Sequence, residues 1–163
     1  MAKATTLLDE RLPVAQALEE LQAYLDHSIP LLSHMQVKVG ALTDETFSLV
    51  APLEPNRNHI GTAFGGSLNS LAVLSGWSVI WLLLHARQLD AAIVIHEGHM
   101  KFQRPAAAGF EAHCRLPSAE EMARFVDSLD RHGKARSTLH AEVFSDGKKI
   151  GSFEGGFAAT RKK

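Results

Sequence analysis

Asn58, Gly65, Gly66, Ser67 and Asn69 stand within one short run, N-H-I-G-T-A-F-G-G-S-L-N, in which a polar loop passes through paired glycines into an apolar helix. The glycines let a ligand approach the backbone closely. The first N–H groups of a helix have no intrahelical acceptor and lie at the positive end of its dipole. The chemistry this suits is binding an anion or polarising a carbonyl oxygen. Asn58 is read as orienting a water or that carbonyl, or as a turn former. Ser67 either caps free N–H groups or touches the bound group. Asn69 either faces the site one turn in or is a satisfied polar residue at a subunit contact.

A second candidate group lies further along, in I-V-I-H-E-G-H-M-K-F from Ile93 to Phe102. Apolar neighbours on this strand would raise the pKa of Glu97 toward that of a general base. Period-two alternation places Glu97 and His99 on one face and His96 on the other. The competing reading pairs Glu97 with His99 or Lys101 on an exposed or interfacial face. No acid lies between Glu54 and Asp90, so a base must come from outside the glycine loop and its helix. No G-x-S-x-G elbow occurs, which disfavours a serine hydrolase. The nine histidines show no ligand spacing, so neither a metal nor another cofactor is expected. Of the scattered basic residues, Arg104 is singled out for phosphate, with a structural salt bridge as its alternative.

The elements that would position these groups follow from the pattern. Residues 66–86 are apolar nearly all round, the signature of a helix buried in protein or lipid. Asn69, Ser70, Ser75, Gly76 and Ser78 interrupt the run, which favours protein. Before it, Val14, Leu18, Leu21 and Leu25 recur at helical spacing, with Pro30 ending the element, and residues 36–41 and 46–53 form a hairpin. After it come strands over 92–104 and 109–116 and a helix opened by the capping box Ser118–Glu121. Strands over 134–144 and 149–159 follow, joined at Asp146-Gly147. The sum is an α+β arrangement in which a mainly antiparallel sheet wraps one long apolar helix, with an extra N-terminal helix, residues 1–32, packed on a single domain over 1–163.

At 163 residues and a formal net charge of −1, the chain holds a sizeable core and no basic footprint for nucleic acid. The lone Cys114 is read as a small buried hydrophobe and points to a reducing compartment. Asp9 and Glu10 interrupt any apolar leader, so a cytoplasmic protein with no membrane partner is expected.

The run G-T-A-F-G-G-S-L, preceded by Asn56 and Asn58 and followed by F-Q-R-P at Phe102 to Pro105, resembles the hotdog-fold thioesterases. In particular it resembles the thioesterase domain found behind GNAT-type acetyltransferases, the YiiD-type domain, over residues 33–160. The segment ahead of it is too short to hold an acetyltransferase. The resemblance implies a homodimer or dimer of dimers with acyl-thioester sites at the interface, acting on coenzyme A or acyl-carrier-protein thioesters. It implies a hydrolase in which Gly65 and Gly66 polarise the carbonyl, Glu97 activates water and Asn58 orients, with Ser67, Asn69, His99 and Arg104 binding substrate. The helix carboxylate of one hotdog branch is missing, since Val73 or Leu74 stands there, and His59 replaces an expected acid. The alternatives are a non-catalytic acyl-thioester binding module and an enoyl-thioester hydratase-like lyase.

Overall fold

A long apolar helix must hide nearly its whole circumference, and the chain does this by curling one sheet around it. The structure is a computed structural model and describes residues 7–8 and 11–162. Helices α1 (Val14–Ser28) and α2 (Pro30–Met35) precede strands β1 (Lys38–Leu42) and β2 (Thr46–Ala51). The core helix α3 (Gly65–Ala86) leads to β3 (Ala91–Phe102) and β4 (Phe110–Arg115). Helix α4 (Ala119–His132) and strands β5 (Lys134–Ser145) and β6 (Lys148–Arg161) complete the order. The six strands form one sheet in the order β1-β2-β4-β5-β6-β3, every pair antiparallel.

Helix α3 crosses the sheet and touches β2, β4, β5, β6 and β3. By length and composition it could cross a membrane, but 67% of its most apolar window is buried inside the protein, which makes it the core helix. Its close approach to the sheet depends on Gly76, where a β-carbon would sit 2.8 Å from the Phe157 ring. Alanine in mid-helix ordinarily gains up to about 1 kcal/mol over glycine. Overpacking a fitted core costs about 1–3 kcal/mol, so Gly76→Ala is expected to lower the urea midpoint despite its better helix propensity.

Local signals behave as their chemistry requires. Ser118 accepts from the Glu121 amide at 3.2 Å while Glu121 accepts from the Ser118 amide at 2.7 Å, closing the capping box. Gly133 ends α4 at φ 68°, and Asp146 and Gly147 take φ 49° and 68° in the β5–β6 turn. Helix α1 ends at Ser28, just ahead of Pro30. Pro30 also opens the short α2, because proline suits a first helical turn whose N–H has no acceptor. Leu21, Leu25, Leu32 and Met35 of α1 and α2 join the same buried cluster as α3 and the sheet. Cys114 is wholly buried, and burial pushes its thiol up to about 12, so it stays protonated and unreactive.

Strand β3 is different. Among the described residues it pairs only with β6 and no strand covers its other edge, and none of its residues is buried. Val94, Ile95 and Phe102 are all exposed along it.

Candidate active site at the start of the core helix

Asn58 builds the loop that enters α3. Its Oδ1 accepts from the Ile60 amide at 3.0 Å and the Thr62 amide at 3.1 Å, and its Nδ2 donates to Thr62 Oγ1 at 2.9 Å. Gly61 turns the chain at φ 82°. With both ends of its amide engaged locally, Asn58 makes the bonds of a turn-forming asparagine. Asn56, 2% exposed, anchors the loop from below. Its Nδ2 donates to the Met35 and Pro52 carbonyls, and its own carbonyl accepts from the Phe64 amide at 2.8 Å.

The loop delivers Phe64 as the residue that caps α3, with no side-chain cap. The amides of Ser67 and Leu68 both donate to the Phe64 carbonyl, at 2.9 and 3.1 Å. The amides of Gly65 and Gly66 find no acceptor among the described residues. Two half-exposed rings flank them. A β-carbon on Gly65 would lie 3.4 Å from the Phe102 ring, and one on Gly66 would lie 2.3 Å from that of Phe64. Gly66 therefore exists to let Phe64 fold back over the helix start. Phe102 stood out in the sequence only as the start of F-Q-R-P, and Phe64 did not stand out by itself. The signal was present in the F-G-G spacing, since a ring next to paired glycines can occupy the space their side chains leave empty.

Ser67 and Asn69 are half-buried beside these amides, and neither side chain has a hydrogen-bond partner among the described residues. Ser67 lies inside the first turn rather than at the cap, so the capping role considered for it is not realised. On this end of an otherwise apolar helix, two free N–H groups, a hydroxyl and a carboxamide are left for something other than protein.

Glu97 and His99 are not part of this cluster. Phe153, Gly155 and Phe157 of β6 face α3, as the Phe157 ring over Gly76 shows, so Gly156 faces away, and Glu97 pairs with Gly156. A bulge between Ile95 and Glu97 also brings His96 onto that outer face, where its ring covers Gly156. The expected alternation is corrected there, because a bulge sets two residues against one. Glu97 is exposed and bonded to His99 at 3.0 Å, and that bond, with the nearby imidazole charge, lowers its pKa where a rise was expected. Arg104, two residues beyond Phe102, is exposed and has no ion pair among the described residues, whereas Arg57 is held by Glu54 at 2.9 Å.

One antiparallel sheet wrapped on a single core helix is the hotdog fold, and here the start of that helix leaves two amides without an acceptor among the described residues. The chain belongs to the family described as "Putative thioesterase (yiiD_Cterm)", whose model matches residues 18–161. It is similar to a protein of unknown function from Chlorobaculum tepidum TLS, at 32% identity and TM-score 0.89, covering 93% of this chain and 98% of that one. It is also similar to a structure described as "putative thioesterase" from Shewanella oneidensis, at 29% identity and TM-score 0.78, covering 90% and 98%. A thioesterase from Haemophilus influenzae shares the fold at 14% identity and TM-score 0.68, covering 88% and 90%.

Proposed function

We propose that this protein is a cytoplasmic homodimer that hydrolyses acyl thioesters of coenzyme A or of an acyl-carrier protein at the start of α3. The observation that carries the reading is the pair of acceptor-free Gly65 and Gly66 amides beside the unpartnered Ser67 and Asn69. The thioester oxygen accepts from the two amides, which stabilise the negative charge that grows on it. Asn69 and Ser67 hold the attacking water. Its oxygen bonds to the carbonyl carbon, the C–S bond breaks, and the water's proton ends on the departing thiolate. Phe64 and Phe102 keep bulk water from the carbonyl, which strengthens the hydrogen bonds made there. Arg104 takes a phosphate of the carrier group.

Glu97 has no part in this scheme, since it stands on the sheet face away from α3. Glu97→Gln is expected to keep thiol release within about twofold of wild type, the usual effect of a surface change. A large loss would return the base to Glu97. Single turnover in water enriched in oxygen-18 tests for a carboxylate nucleophile. Water attack, on the thioester or on a serine ester, puts one labelled oxygen in the acid product, whereas an unlabelled acid would mean that a protein carboxylate attacked first and gave up its oxygen, which would overturn the scheme.

The dimer reading rests on β3. A twelve-residue strand with a free edge and exposed apolar residues is a template for pairing. A second copy related by a two-fold axis would satisfy it with its own β3, antiparallel.

A further inference from the structure

The chain has one tyrosine and two tryptophans, and all three line one cavity. Tyr24 of α1 stacks on Trp77 of α3 with centroids 5.8 Å apart and lies 5.4 Å from Trp81. Leu84, Leu89 and Ile93 extend the apolar wall, and the volume, about 650 Å³, is that of a small-molecule pocket. Trp81 lies about 22 Å along α3 from Gly66 at 1.5 Å per residue, so the cavity is separate from the amides at the helix start. No step proposed above uses it.

The walls are held in place by the protein itself. Trp77 Nε1 donates to the Ile93 carbonyl at 3.1 Å, and His85, stacked on Trp81 at 4.2 Å, is bonded to Glu20 and so ties α1 to α3. Asp90 and Lys162 also line the cavity and pair at 2.9 Å. The Lys162 amide donates to the Asp90 carbonyl at 3.3 Å, so the main chain holds this ammonium at the cavity as well.

The polar groups decide the ligand. Tyr24 Oη and Trp81 Nε1 have no hydrogen-bond partner among the described residues, and Lys162 Nζ has two N–H bonds left after its one to Asp90. Three lining residues therefore offer donors. The neighbouring carboxylates are already engaged, Asp90 with Lys162 and Glu20 with His85, which leaves a cationic ligand no spare counter-charge. Tyr24 lies against Trp77 at 21° and Trp81 against His85 at 16°, so each ring gives one face to its neighbour and the four do not stand as an open cage for a cation. The nearby end of α3 opposes an anion only weakly, because the carbonyls of Leu83, Leu84 and His85 already accept from the Arg87 guanidinium and from the Arg87, Leu89 and Gln88 amides. We infer that this cavity binds an apolar monocarboxylate, its chain against the rings, Leu84, Leu89 and Ile93, and its carboxylate accepting from Lys162, Tyr24 and Trp81. The site goes beyond the hydrolase reading and does not depend on it, although an acid released by that reaction would belong to this class.

Decanoate below its micelle concentration is the probe, and the two tryptophans report on it, since both line the cavity. Titration of the full chain is expected to give a saturable change in tryptophan fluorescence and one bound decanoate per chain by calorimetry. Decanoate should bind about tenfold more tightly than decanol or decyltrimethylammonium, the scale of a hydrogen bond to a charged group. Tyr24→Phe keeps the ring and Lys162→Met keeps an apolar stem, so both variants should remain folded by circular dichroism. Each is expected to weaken decanoate about tenfold and to leave decanol unchanged. The proposal is overturned if decanol or decyltrimethylammonium binds as tightly as decanoate, if both folded variants bind decanoate like wild type, or if decanoate gives neither heat nor a fluorescence change. No thioester enters this test, so its failure leaves the hydrolase reading standing, and absence of thioester cleavage leaves this site standing.

Discussion

Gly65→Pro is expected to fold and to lose about 10²–10³ in thiol release, the cost of deleting one oxyanion donor. The position tolerates proline on three counts. Gly65 opens α3, where a helix N–H has no acceptor in any case. Phe64 before it is extended, at φ −66° and ψ 130°, as a residue preceding proline must be. The β-carbon would meet Phe102 at an ordinary contact distance of 3.4 Å. Gly65→Ala supplies the control, because it adds the same β-carbon and keeps the amide. Circular dichroism should show all three proteins folded, with only the proline variant slow. A folded Gly65→Pro protein as fast as wild type would remove this amide from the site.

Asn69→Leu is expected to reduce kcat/KM by about 10², comparable to removing an asparagine donor from a known oxyanion site. Asn69 lies three and four residues beyond Gly66 and Gly65, on the same side of the first turns of the helix. Its carboxamide has no hydrogen-bond partner to lose among the described residues, and leucine is a better helix former by a few tenths of a kcal/mol. Unfolding measurements should therefore show stability held or raised while activity falls. That opposition marks a residue kept for function, whereas a structural asparagine would lose stability and activity together.

The architecture was legible because its signals are local and strong. The capping box at Ser118, the Asp146-Gly147 turn and the all-round apolar helix each admit few conformations, and alternation in β4, β5 and β6 fixes which face meets the core. The glycine amides were legible too, since two glycines at the start of a buried helix leave N–H groups open. What was not legible was the sheet face that Glu97 takes. The side on which Glu97 falls depends on one extra residue at His96, and a bulge leaves no mark in a strand of mixed apolar and polar residues. Its pKa was misjudged for the same reason. Apolar neighbours along a strand bury a carboxylate only if the strand is covered, and β3 is an edge with no buried residue. Asn58 was read in both its roles, and only the structure shows the hydrogen bonds to Ile60 and Thr62 that a turn former makes.

Thiol release from acetyl, octanoyl, palmitoyl and benzoyl coenzyme A, with the free acid quantified beside it, tests the central claim most directly. The account predicts stoichiometric thiol and acid from at least one of these thioesters. Binding of these thioesters without release of either product, or hydration of crotonyl coenzyme A with its thioester left intact, would contradict it.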